Sequence, residues 1–437
     1  MGHREGRPSM LGCTVPGEEG PADAESERAG PWRAEGEVRS ADSRIRRAGP
    51  ERRGPAERED LMQVRVEQDS LAAALRAVTG VVPLRPLVPG EGGVLLSADG
   101  HLKLVGRGGH LMVECRVNGA DVEEPGSLVL PARLTAELVA KMGDERLELL
   151  QEETPLGMAF ESSRTRARVR GWGADEFPMP ETKLGMSSVA VMDGETLRRG
   201  IAATAYAAST DAAHDLLKGV SMTFRKGEVT LAAADGFRLA VATIAGNEEA
   251  SAKHKIVVPA SALRAVGRLL PQGEVEVSIE ENGRRARFSS AEVVVTSGLL
   301  AGSYPDYSAL VQREWDVTAV VNRDHLESAS KTARALSGSM AKLEFSPEGT
   351  LTVSVKGKSK AGEADGRMEL ACESHGEAGE VLISTLYLTR AVSAIPSERV
   401  RLHCNSEDRT VPLLIESVAD EAGLGAFRAV IMPMLAS

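Results

Sequence analysis

The chain has 437 residues, a formal net charge of -11 at pH 7 and only 3% aromatic residues. That length allows two to four domains, each with a core of Leu, Val, Ile and Ala. No apolar run reaches the ~18 residues of a membrane span, and the first residues hold no apolar signal segment, so neither membrane insertion nor secretion is expected.

The scattered cysteines Cys13, Cys115, Cys372 and Cys404 form no C-x-x-C and suit a reducing cytoplasm. An acidic chain is a poor binder of nucleic acid by overall attraction, so any such role must come from where its cations sit.

Residues 1–61 are rich in Gly, Pro, Glu and Arg and lack aliphatic periodicity. Such a segment cannot bury enough apolar surface to offset its ordering entropy. It is expected to be disordered, either as a flexible extension or as residues upstream of a true start at Met62.

From Gln63 the pattern changes. QVRVEQDSLAAALRAV alternates apolar and polar residues as a half-buried strand, then switches to helical spacing at Leu71, Leu75 and Val78, with Asp69 as the expected N-cap. VLLSADGHLKLVG reads as a hairpin turning at Asp99-Gly100. SLVLPARLTAELVAKM adds a second strand and a helix opened at Pro131.

The same order returns twice. SVAVMDGETLRRGIAAT gives a strand, a cap at Asp193 and a helix through Leu197 and Ile201. VSMTFRKGEVTLAAADGFRLAV turns at Lys226-Gly227, and KIVVPASALRAVGRLL opens its helix at Pro259. VTAVVNRDHLESASKTARAL places Asn322 or Asp324 at the cap and Leu326, Ala329, Ala333 and Leu336 on one stripe. KLEFSPEGTLTVSV turns at Glu348-Gly349, and EVLISTLYLTRAVSAI opens its helix at Ser384. Three α+β domains are expected, at 62–185, 186–313 and 314–437, each built from two strand–helix units plus strands.

The exposed helix positions are mostly basic: Arg76, Arg133, Lys141, Arg198, Arg199, Arg264, Arg268, Lys331, Arg334 and Arg390. Glu137, Glu195 and Glu327 are the acids among them, whereas Asp121, Glu123, Glu124, Glu280 and Glu281 lie on strands and loops. If the repeats curve with helices inward, these cations line a positive surface that attracts phosphates without reading bases. Ordinary solvated helix faces are the alternative, since Arg and Lys are good helix formers.

No bond-making motif stands out. Gly357-Lys358-Ser359 ends like a phosphate-binding loop, but Thr352 occupies the place of its first glycine. The eight histidines have no paired metal spacing, and no G-x-S-x-G elbow is present. Asp235 in ADGFRL reads as a turn-forming Asp-Gly rather than a catalytic carboxylate. The expectation is a binding protein with no catalytic residue, metal or cofactor.

AAADGFRLAVATI from Ala232, SYPDYSALV from Ser303, GADEFP from Gly173 and AVIMPM from Ala429, together with the threefold repeat, resemble the bacterial DNA polymerase III β subunits, the β sliding clamps. The likeness runs from about Met62 to the C-terminus. It implies a head-to-tail homodimeric ring around double-stranded DNA, helices lining the ring and sheets outside. Such a ring gives processivity to the DNA polymerase III catalytic subunit and needs a separate clamp loader.

The resemblance further implies a hydrophobic cleft for short peptides of polymerase, loader, and repair and translesion polymerases. Its wall would be Leu217, Gly236, Phe237, Arg238, Leu239, Pro305, Leu310, Ser384, Tyr387, Thr410, Pro412, Val430, Ile431, Met432, Pro433 and Met434. Met and aliphatic side chains give an adaptable surface suited to several partners. The bland alternative for Val430 to Met434 is a core strand. Arg85 in a loop would join the helix cations on DNA, and dimer contacts would lie near Val169 and near Ala335 and Leu336. An arm touching DNA through Arg44, Arg46, Arg47, Arg52 and Arg53 is the alternative for the N-terminal segment.

Some positions depart from the family pattern. Ala234 replaces its usual Thr, Ala309 a common basic residue, and Leu435-Ala436-Ser437 the usual C-terminal Arg, while Ala213-His214-Asp215-Leu216 lacks the family's tyrosines. These departures leave open the alternative of a divergent second clamp copy with altered partner or inhibitor binding.

Overall fold

A computed structural model of the chain describes residues 61–434 apart from 88, 144–145, 180–184, 212, 248–253, 271, 337, 360–361 and 419–424. The expectations for the N-terminal segment up to residue 60 and for Leu435, Ala436 and Ser437 lie outside the described residues.

Alternating burial sets the first strand, Gln63–Glu67, in which Val64 and Val66 point inward and Arg65 and Glu67 outward. It runs directly into helix α1, Gln68–Thr79, which buries Leu71, Leu75 and Val78 on one stripe. The remaining helices in chain order are α2 Ala132–Ala140, α3 Gly194–Thr204, α4 Ala260–Leu269, the short α5 Ser308–Val311, α6 Arg323–Ala335 and α7 Thr385–Ala394. Pairing is regular: α1 lies on α2, α3 on α4, and α6 on α7.

Side-chain caps open three of the seven described helices, α3, α6 and α7. The Asp193 carboxylate accepts from the Thr196 N–H at 2.8 Å, and the Asn322 side-chain carbonyl accepts from the His325 N–H at 3.1 Å. The first copy departs from this. Its N-cap is Glu67, with no side-chain cap, and the expected cap Asp69 sits inside the first turn. Gln68 is the reason: it is buried as the first helical residue, and its amide donates to the Val139 carbonyl of α2 at 2.6 Å, which draws the helix start back to the strand. Pro131, Pro259 and Ser384 occupy the equivalent N-cap of the second helix in each copy.

The three hairpins turn where the sequence places them, with Gly100, Gly227 and Gly349 at φ of 65°, 76° and 83°. Gly357-Lys358-Ser359 belongs to the strand Thr350–Ser359, not to a phosphate loop. Its glycine has a packing role, because a Cβ there would run into the carbonyl of Leu336 at the end of α6. Gly106 repeats the device under the Val78 carbonyl at the end of α1.

Antiparallel strand pairs join the copies edge to edge. Leu111–Arg116 pairs with Val293–Gly298, and Arg238–Ala245 pairs with Phe427–Ile431. Sheets of eight and twelve strands therefore cross the two junctions, beside a five-stranded sheet formed within the first copy. Cys115 and Cys404 are buried in the cores, where desolvation pushes each thiol up to about 12, so neither is a reactive thiolate.

Candidate functional site

The second strand junction carries a cavity. It begins at the turn after Ala234. There the Asp235 Oδ1 accepts from the backbone N–H groups of Phe237 and Arg238, each at 3.0 Å, and Gly236 takes a φ of 92°. This is the turn role expected of Asp-Gly. The other carboxylate oxygen holds the Arg238 Nε at 2.9 Å, with the arginine side chain only 7% exposed. The guanidinium lies 4.6 Å from the Tyr387 ring centroid and 5.6 Å from that of Tyr206, a cation–π clamp that fixes it.

From this turn the Ser303–Tyr307 loop folds over the strand. The Tyr304 hydroxyl accepts from the Ala234 N–H at 2.8 Å, and burial pushes its phenol up to about 12, so it stays protonated. Met432, just beyond the last strand, is anchored by its N–H to the Phe237 carbonyl at 2.9 Å. The result is a mostly apolar cavity of about 280 Å³.

Eight expected cleft residues line it: Leu217, Gly236, Arg238, Leu239, Pro305, Leu310, Val430 and Met432. Ala234, Tyr304, Asp306 and Tyr307 complete the wall and were missed, although all four lie within the strings that carried the family resemblance.

The other expected residues stand elsewhere. Ile431 is 1% exposed and packs in the neighbouring core, since alternate residues of one strand face opposite sides. Val430 is equally buried, in a separate small core cluster on the opposite face of the strand, where it also backs the cavity. Ser384 caps α7, Thr410 bonds Asp408, and the Pro412 carbonyl accepts from the Trp315 indole at 3.4 Å. The Met434 N–H reaches the Leu382 carbonyl at 2.7 Å, which carries Pro433 and Met434 past the cavity. Phe237 and Tyr387 face a second cavity, which Arg238 separates from the first.

All the expected DNA-contacting residues are exposed: Arg85, Arg133, Lys141, Arg198, Arg199, Arg264, Arg268, Lys331, Arg334 and Arg390. Several are held in place. Arg198 and Arg199 each donate to Glu195 at 2.8 Å, and together they hold its carboxyl below the usual range. Lys331 pairs with Glu327 at 2.7 Å, while Arg264 donates to the Ala205 carbonyl at 2.8 Å. These pairs fix orientation and contribute little stability.

Val169 needs a correction as a contact residue. Its side chain is 4% exposed and packs inward, so it is not available to a second chain. Its strand, Arg166–Arg170, does lie at the outer edge of the five-stranded sheet and exposes Arg166, Arg168 and Arg170. Ala335 is exposed at the end of α6, and half-buried Leu336 packs over Gly366 in the strand Gly362–His375. Among the described residues no helix is long and apolar enough to cross a membrane, and no group of three or more His, Cys, Asp or Glu is arranged to hold a metal ion.

The family profile described as the N-terminal domain of the DNA polymerase III beta subunit matches residues 62–181, and that of its central domain matches residues 191–306. The beta sliding clamp of Synechocystis sp. is 29% identical over 379 residues, covering 80% of this chain and 95% of the relative. That of Pseudomonas aeruginosa is 26% identical, covering 85% and 100%. The crystal structure of the Bacillus subtilis DNA polymerase sliding clamp superimposes with a TM-score of 0.77 at 22% identity, covering 86% of this chain and all of that one. The P. aeruginosa DNA polymerase III subunit beta gives 0.75 at 25% identity, with 86% of this chain covered. With two family profiles spanning more than half of its length, the chain belongs to the DNA polymerase III beta subunit family, the bacterial β sliding clamps.

Proposed function

We propose that the chain is a DNA sliding clamp: two copies close head to tail around duplex DNA and tether the replicative polymerase, conferring processivity. The proposed domains are 62–185, 186–313 and 314–437. The observation that carries the reading is the placement of charge. A chain of net charge -11 exposes Arg and Lys along all three of its long helix pairs. Cations that meet only phosphates bind without sequence preference, which suits a sliding contact, because closure of the ring rather than affinity prevents escape.

Two open strand edges support self-association. Arg166–Arg170 exposes arginines, and the 362–371 stretch of Gly362–His375 exposes Glu363, Asp365 and Glu369 against one cation, Arg367, which pairs with Glu369 at 3.1 Å, while leaving Met368 and Leu370 half-covered. A basic edge and an acidic edge on the same chain suit a heterologous contact that closes after two copies. The cavity at the second strand junction is the proposed docking site for extended peptides of the DNA polymerase III catalytic subunit, the clamp loader, and repair and translesion polymerases. The chain acts in the cytoplasm, needs no cofactor or catalytic centre of its own, and leaves ring opening to the loader. The alternative of a divergent second copy is not favoured, since relatives named plainly as beta sliding clamps match along nearly their full length.

The test is topological. Clamp loaded onto nicked circular duplex is expected to stay bound through a high-salt wash and to be lost when the circle is cut. Equal retention on circular and linear DNA would overturn the ring.

A further inference from the structure

The cavity proposed for peptides is walled on one side by a single strap of chain, residues 303–316. Beneath the strap, strand register lines up Ala234, Leu239, Val430, Leu414, His403 and Thr318 as one row on one face of the twelve-stranded sheet. The first four are apolar, and Tyr307, Val311 and Trp315 of the strap pack on the cluster that Leu239, Leu414 and Val430 form. His403 is the first polar residue of the row, and it sits where the strap ends.

Two contacts hold that end. The Trp315 indole N–H donates to the Pro412 carbonyl at 3.4 Å, and its ring lies 5.5 Å from the His403 ring, tilted by 41°.

His403 is itself seated at both ring nitrogens. Nδ1 lies 3.1 Å from the Thr318 Oγ1 and Nε2 3.1 Å from the Glu416 Oε2, with the side chain 16% exposed. With Nε2–H on the carboxylate, Nδ1 accepts from the threonine hydroxyl in the neutral ring and donates to it in the protonated one. Both charge states therefore fit one position. What protonation changes is the neighbour of Trp315, which becomes a cation beside an indole.

The charged groups around the ring come from every strand beside it. Glu416 is held by His403 and by Arg428, the latter at 2.8 Å, and these bonds keep its carboxyl below the usual range. On the ring's own strand Arg401 stands in register with Glu416, and on the strap Asp316 accepts from the Ser406 N–H at 2.9 Å. On Gly362–His375, Glu373 pairs with Arg399, and exposed His375 stands in register beyond Thr318.

We propose that His403, acting through Trp315, is a proton-sensitive clasp on the strap and so a positioning residue for the peptide cavity. The inference rests on the docking of peptides there. A charged ring holds Trp315 more firmly, fixes the strap as a wall and strengthens peptide binding as pH falls through the histidine range. Proton and peptide then favour one another.

The experiment uses the full chain and a short end-blocked peptide of Leu, Phe, Gln and Ser, which carries no group that titrates between about pH 5.5 and about pH 8. Calorimetry is expected to give about threefold tighter binding at the lower pH. His403→Gln, which keeps a donor for Glu416, should bind with no pH dependence, while His375→Gln should keep the full slope. The emission of Trp315, taken as the difference between the unaltered chain and Trp315→Phe, should titrate over the same range and lose that titration in His403→Gln.

A flat affinity in the unaltered chain, a slope that persists in His403→Gln, or one lost in His375→Gln would overturn the inference. If the peptide binds at no pH, the docking reading fails by itself, and the Trp315 emission decides the clasp. A titration lost in His403→Gln then upholds it, and an emission independent of pH sinks it.

Discussion

At the scale of single residues, strand alternation decides who meets a partner. Val430 and Met432 line the cavity proposed for peptides, whereas Ile431 turns into the core and Met434 passes beyond the cavity, 39% exposed. Met432→Ala is therefore expected to weaken a clamp-binding peptide about tenfold by calorimetry, in keeping with the loss of one well-packed apolar side chain. Met434→Ala should weaken it by less, with dimerisation unchanged in both.

A second residue-scale prediction concerns pH. Glu416 accepts from His403 at 3.1 Å and from Arg428 at 2.8 Å, contacts that hold its carboxyl below the usual range. With the folded value below the unfolded one, the stability from this pairing is fully present above the unfolded carboxylate range. It is lost as pH falls through that range toward the folded value. The urea midpoint should fall as pH drops below about 5, and Glu416→Gln should flatten that part of the slope.

At the scale of elements, the helix ends show where packing outweighs local propensity. The first helices of the first and third copies settle their last turns on a strand, and glycine makes room for them at Gly106 and Gly357. Gly357→Ala would press a methyl into the Leu336 carbonyl and is expected to cost about 3 kcal/mol, read from denaturant unfolding. Its strand has no conformational need of glycine, so a destabilised chain would trace the effect to the helix above it.

The sequence made these elements legible because alternation, caps and X-Gly turns are local signals. Asp193, Asn322 and the three hairpin glycines stand where local chemistry puts them. Asp69 failed as a cap because buried Gln68 bonds the Val139 carbonyl 71 residues away, a contact that no local window contains. The cleft was legible in part for the same reason. Residues next to the Asp235 turn followed from the chain, while Thr410 and Pro412 depend on how a distant loop lies, and Pro412 is claimed by Trp315. Val169 lies on the edge strand Arg166–Arg170 but on its buried side.

For the whole molecule, the proposed ring depends on two strand edges of opposite charge. Arg170 is exposed on the basic edge with no ion pair among the described residues. Arg170→Glu should weaken self-association at least tenfold, and light scattering would then give the mass of one chain at concentrations where the unaltered protein is a dimer. Unchanged mass would remove this edge from the interface.

The two internal junctions have a mechanical consequence. Each is a hydrogen-bonded strand pair backed by a buried core, so a chain pulled at its ends is stiff where its copies meet. In a closed pair of such chains the compliant points are the seams between molecules. A loader that springs the ring need only prise one seam apart, and the arc on either side stays folded as a rigid jaw.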